Sequence, residues 1–191
     1  MGVFDQLKQL KQMKNITKLI ISILICEFAG AVGSVFTAPA IRSWYYFLNK
    51  PSFSPPNWLF APVWTFLFLL MGISLYLVWS KNFNTNVSAD EAQKKAWNPI
   101  SAKLWSGTWR EENAALIFIF QLLLNILWSV IFFGLKSPGL AFVEILMLWF
   151  AILYTIVNFY RISKTSAFLF IPYIVWVSFA AILNFFVWKL N

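Results

Sequence analysis

The sequence predicts an all-α integral membrane protein, a bundle of five transmembrane helices. Composition is the first reason. Of the 191 residues 60% are hydrophobic and only 12% charged, where soluble domains carry about 25% charged residues. The second reason is how the few charges are spaced. Five stretches are almost free of charge, Lys18 to Arg42, Lys50 to Lys81, Glu112 to Lys136, Lys136 to Arg161 and Lys164 to Lys189, and each encloses at least 23 residues. About 20 apolar residues suffice for a helix to cross the hydrocarbon core. One Cys and no His exclude a disulfide framework, a zinc site and imidazole-ligated haem, and they remove the usual general base.

Residues 1–17 form an N-terminal basic segment. Phe4, Leu7, Leu10 and Met13 fall near one face of a helix, with Lys8, Lys11 and Lys14 on others. This pattern predicts an amphipathic helix lying on anionic lipid, against the plainer alternative of a solvated basic tail. The run that follows is too long for a signal peptide and lacks its small-residue cleavage site. Gln6 occupies the position where N-myristoylation requires Ser or Thr.

Residues 18–191 are read as one membrane domain with spans at about 18–41, 58–80, 114–135, 138–160 and 166–188. Between the first two lies a stiff aromatic connector, residues 44–57, containing Pro51, Pro55 and Pro56. The loop from 81 to 112 is polar. Its Ser88-Ala-Asp-Glu91 stretch resembles a capping box, and Trp97, Trp105 and Trp109 are expected to anchor it at the headgroups.

Orientation follows from the cations. Lys8, Lys11, Lys14, Lys18, Lys81, Lys94, Lys95, Lys103, Arg110, Arg161 and Lys164, eleven of the fifteen, fall on the side of the N-terminus. Arg42, Lys50, Lys136 and Lys189 fall on the other. An excess of Lys and Arg marks the cytoplasmic side, so the N-terminus is expected inside a bacterial or archaeal plasma membrane.

Polar residues within the spans are costly in lipid and normally face the bundle interior. Gln121, Asn125 and Ser129 form one stripe in the third span, with Trp128 beside it. Glu27 and Glu144 have no Lys or Arg at matching depth. Either carboxyl is protonated, as burial favours, or it accepts bonds from Asn, Trp or Tyr. Tyr173, Trp176, Ala180 and Asn184 share a face of the fifth span, and Trp64 and Phe68 share one of the second. Such stripes serve as contacts between helices; together they also describe a cavity suited to a flat, largely apolar ligand. No span carries a basic residue, which argues against an ion path and excludes a retinal Schiff base.

The ordered set Trp44-Tyr45, Leu48-Asn49-Lys50-Pro51, Pro55-Pro56, Pro62-Val63-Trp64 and Met71-Gly72 resembles the TspO/MBR family of tryptophan-rich sensory proteins. The likeness continues through Gln121, Leu124-Asn125, Trp128-Ser129 and Phe132-Phe133, then Ala141-Phe142-Val143-Glu144, and finally Pro172-Tyr173, Trp176, Phe179-Ala180 and Leu183-Asn184. The resemblance implies a five-helix bundle, usually a homodimer, with a cavity beneath the first loop for porphyrins, sterols or benzodiazepine-type compounds. Carried over by position, it implies ligand contacts from Trp64, Phe68, Asn125, Trp128, Glu144, Tyr173, Trp176 and Ala180. A lid comes from Trp44, Pro51, Phe53, Pro55 and Pro56, stiffened because proline fixes φ. Phe53 and Phe68 stand where many relatives carry Trp and Tyr, so neither offers those polar contacts. Phe185 occupies the tyrosine position of the animal cholesterol pattern, which argues against a sterol ligand.

Three functions are thus expected in order: a tetrapyrrole-binding sensor or translocator-like protein with protoporphyrin IX or haem as ligand, a light-dependent porphyrin-degrading enzyme using Trp64 and Trp176, and a lipid-binding scaffold. None requires a cofactor, a metal or a nucleic acid partner. The small residues Ala29, Gly30, Gly33 and Ser34 suggest a dimer face on the first span, with packing inside the monomer as the alternative.

Overall fold

A computed structural model describes the backbone of residues 3–82 and 107–191 and the side chains of 12–81 and 114–191. The expected capping box at Ser88 and the anchoring roles of Trp97, Trp105 and Trp109 lie outside the described residues or side chains. Within these limits the chain is helical and forms five spans, Gln12–Arg42, Asn57–Lys81, Ala114–Gly134, Pro138–Ile162 and Lys164–Leu190.

Helix α1, Val3–Arg42, runs from the basic segment into the first span without a break. Three of its hydroxyls are satisfied locally, whereas that of Ser22 is buried without a partner among the described residues. Thr17 donates to the carbonyl of Met13, Ser34 to that of Ala31 and Thr37 to that of Gly33, at 3.0, 2.7 and 3.1 Å. A hydroxyl bonded to its own helix removes the cost of an unpaired donor in lipid.

The connector is α2, Trp44–Phe47, then an extended proline-bearing segment and a 3-10 turn, Asn57–Leu59. It is pinned at several points. The Lys50 ammonium donates to the carbonyls of Tyr46 and Leu48 and lies 4.8 Å from the Tyr45 ring centre. The backbone N–H of Asn49 donates to the Asn191 side chain at 3.0 Å, and the Asn191 amide donates back to the Asn49 carbonyl at 3.0 Å. The connector is therefore tied to the C-terminal end of the last helix.

Helix α3, Phe60–Asn82, is followed after the polar loop by α4, Gly107–Ser129, whose last turn widens over Val130–Gly134. There the N–H of Leu135 reaches back five residues to the Val130 carbonyl at 2.8 Å, and Lys136 takes a left-handed φ of 52° before Pro138 opens α5, Pro138–Ile162. The fifth span is two helices rather than one, α6, Lys164–Leu169, and α7, Ile171–Leu190. Pro172 has no N–H to continue the helix through this point, and the Phe170 N–H turns instead to the Ala167 carbonyl at 3.1 Å.

Helix α1 packs on α3 and α4, α4 on α5, and α5 on α7, while α6 packs on α3 and α5. The main core gathers Cys26, Phe118, Ile145, Leu148, Phe159 and Phe170. Ser74 and Ser166 join α3 to α6 by a reciprocal pair, each hydroxyl donating to the other's carbonyl at 2.9 and 2.8 Å.

Gly30 and Gly33 of α1 face their own chain, while Ser34 is exposed. A Cβ on Gly30 would lie 2.6 Å from the Phe68 ring, and one on Gly33 would lie 3.1 Å from the Ser129 hydroxyl. The expected dimer face is, at these glycines, a packing face inside the monomer.

Candidate functional site

A cavity of about 380 Å³ opens among α1, α3, α4 and α7, beneath the connector. Its aromatic walls are Trp64, Phe68, Trp128, Phe132, Phe133 and Trp176, with Phe60 above. Gly30, Gly33 and Ala180 supply the space, because their short side chains leave room beside the rings. Polar groups are sparse and separated, Asn125 and Ser129 on one wall, Asn184 on another, Thr37 on α1.

Six of the eight expected ligand contacts line the cavity: Trp64, Phe68, Asn125, Trp128, Trp176 and Ala180. Tyr173 and Glu144 do not. Tyr173 is fully buried behind Asn125, whose amide donates to the Tyr173 hydroxyl at 2.8 Å, and that hydroxyl donates to the Gln121 carbonyl oxygen at 3.1 Å. Glu144 is 2% exposed, and neither carboxyl oxygen has a partner among the described residues. Of the two expected alternatives, the hydrogen bonds from Asn, Trp or Tyr are not made among the described residues.

The connector contributes differently from expectation. Tyr45 and Asn57 form the roof, whereas Pro51, Phe53, Pro55 and Pro56 stand off the lining. Phe53 lies edge-on to Phe179 and Phe186 of α7, with ring centres 6.3 and 5.5 Å away. Trp44 turns toward Phe132 at 5.7 Å and lines a shallow outer depression. The prolines thus hold the connector while Tyr45, 3% exposed, covers the site. Burial pushes the Tyr45 phenol up to about 12, so it stays neutral as a roof group.

The indoles are in different states. Trp128 donates its N–H to the Asn184 side-chain oxygen at 3.1 Å, and Asn184 in turn donates to the Pro138 carbonyl at 2.7 Å. Trp176 has no acceptor for its N–H among the described residues. It lies 6.3 Å from Phe60 and 5.5 Å from Phe179, ring centre to ring centre. Trp64 and Phe68 form a second aromatic pair 5.7 Å apart on the opposite helix. These groups can stack on a planar body.

The sequence placed Ser129 and Asn184 on stripes facing a cavity and Glu27 among the intramembrane carboxylates without giving any of them a ligand contact; it showed Tyr45 only within the Trp44-Tyr45 motif and gave no indication of Thr37. All five line the cavity. Glu27 was legible through its lack of a cation at matching depth and Tyr45 through its motif; Thr37 gave no comparable signal.

A family model described as the TspO/MBR family matches residues 22–189. The chain is similar to the tryptophan-rich protein TspO of Archaeoglobus fulgidus, 40% identical over 93% of this chain and 99% of that one. It is likewise 40% identical to the tryptophan-rich protein TspO of Chlorobaculum tepidum, covering 93% and 98%. The human translocator protein is 36% identical over 84% of this chain and 82% of its own.

Proposed function

The chain belongs to the TspO/MBR family of membrane proteins, and from that premise we propose that its cavity is a receptor site for a flat, largely apolar tetrapyrrole such as protoporphyrin. The observation that carries this reading is the set of aromatic walls, Trp64, Phe68, Trp128 and Trp176, with only a few separated polar groups between them. Ligand sites of this kind are largely apolar with a few placed polar groups, and about 300–1,000 Å³ is their usual size. Titration of the purified protein with protoporphyrin in detergent, in the dark, tests it. Saturable quenching of tryptophan fluorescence is the expected result; quenching no greater than with free tryptophan in the same micelles overturns it.

A second reading has its own support. Trp64 and Trp176 both line the cavity, so a macrocycle held there is in reach of two oxidisable indoles. Light-dependent oxidation of the bound porphyrin, with dioxygen as oxidant, is the enzyme such a site would form. Decay of the porphyrin band under fixed light, against a protein-free control, separates it from binding alone.

The same reading places the N-terminus in the cytoplasm of a bacterial or archaeal cell, supported by the eleven-to-four division of Lys and Arg. The homodimer implied by the resemblance then needs contacts other than Gly30 and Gly33, which are occupied within the monomer.

A further inference from the structure

Among the described residues Glu27 is the one Asp or Glu in the cavity wall, and no described Lys or Arg joins it there. It stands 15 residues before Arg42 on a continuous helix, which places it roughly 22 Å along the helix axis from that cation. This is the middle of the first span, Gln12–Arg42. It makes no hydrogen bond or ion pair with a described residue. An ionisable side chain at such depth is expensive and normally meets a partner from the bundle or from a ligand. The other polar groups of the wall are neutral amides and hydroxyls, and several are already bonded, Asn125 to Tyr173 and Asn184 to Trp128 and Pro138.

We infer that Glu27 makes this cavity a site for aromatic amines, molecules with a flat apolar body and one basic nitrogen. The inference rests on the cavity being a ligand site and not on its ligand being a tetrapyrrole. The aromatic walls take the ring system by stacking. A basic nitrogen is the group that satisfies Glu27 in either protonation state. A carboxylate pairs with the protonated amine, and a carboxylic acid donates its proton to the neutral amine, so both routes reach the same hydrogen-bonded pair. A ligand with a carboxylate at that end gains no such partner, because the wall offers no cation among the described residues. The low dielectric of the surroundings strengthens the pair.

The test compares two fluorescent tricycles of similar shape, 9-aminoacridine with a basic nitrogen and 9-methylanthracene without one, titrated into the full chain in detergent at pH 7. Wild type should bind the amine about tenfold tighter than the hydrocarbon. Glu27→Gln, close in size, should bring the two affinities within about twofold by weakening the amine alone, and Glu27→Asp should keep most of the preference. Absence of a preference in wild type, or a preference unchanged in Glu27→Gln, overturns the inference. Protoporphyrin is titrated into the same samples. Porphyrin binding without a Glu27-dependent amine preference removes this inference and leaves the tetrapyrrole reading intact. Amine preference without porphyrin binding does the reverse.

Discussion

The Asn125 side-chain amide donates to the hydroxyl of Tyr173 across 2.8 Å, joining α4 to α7 at the back of the cavity. One partner lines the cavity and the other does not. The bond therefore positions a wall residue from outside the wall. Tyr173→Phe leaves the Asn125 amide and the Gln121 oxygen unpaired in a buried setting, which costs about 1–3 kcal/mol. Thermal unfolding in detergent should show this loss, while ligand affinity falls less than in Asn125→Ala. Equal melting temperatures for Tyr173→Phe and wild type would show that the bond contributes nothing.

Glu144 leads to an unusual expectation. Its carboxyl is 2% exposed and has no hydrogen-bond partner among the described residues. Burying a polar group without a partner destabilises, so Glu144→Leu should be at least as stable as wild type and as Glu144→Gln. A melting temperature clearly lower for the Leu variant would reveal a polar network at this position.

Glycine substitutions should rank by what the added methyl meets. On Gly72 it would lie 2.6 Å from the backbone Cα of Ile23 in α1, which cannot yield without separating the helices. On Gly33 it would lie 3.1 Å from the Ser129 hydroxyl, the end of a side chain that can rotate. Gly72→Ala should therefore cost about 1–3 kcal/mol. Gly33→Ala should be near neutral, since the helix preference of Ala over Gly offsets the contact. Thermal melts of the two variants in one detergent check the order.

Two of the three cavity indoles, Trp64 and Trp176, separate binding from photochemistry. Trp64→Phe and Trp176→Phe each retain a smaller stacking face and should weaken porphyrin binding by about 0.5–1.5 kcal/mol in dark titrations. If the protein degrades porphyrin, the same changes should slow the light-dependent loss of the porphyrin band far more than they weaken binding. Wild-type decay equal to the protein-free rate removes the enzyme.

Tyr45 supplies a pH signature. Its phenol is raised from 10 to about 12 by burial. Below pH 10 the folded and unfolded chains carry the same proton, and stability is unaffected. Above it the unfolded phenol ionises first, so the Tyr45 contribution is lost as pH rises through 10 to about 12. Tyr45→Phe should flatten this part of the alkaline melting profile; an unchanged slope would assign it to other groups.

The sequence by itself determined the five spans, because each requires only about 20 apolar residues free of charge, and Lys18, Lys81, Lys136, Arg161 and Lys164 stand at or near their ends. It also indicated the inward stripe of α4, since Gln121 and Asn125 sit one turn apart and are both buried. What it could not decide was the depth of each stripe behind the cavity surface. Tyr173, Trp176 and Ala180 share a face of α7 in the sequence, yet Tyr173 is enclosed behind Asn125 while the other two reach the wall. In a bilayer both the lipid-facing and the inward sides of a helix are apolar, so hydrophobic periodicity fixes the length of a span and not its rotation. Rotation is set by contacts such as Gly72 against Ile23 and Gly30 against Phe68. Those close approaches set α1 against α3 with Glu27 and Thr37 on the cavity wall, and only the assembled bundle contains them.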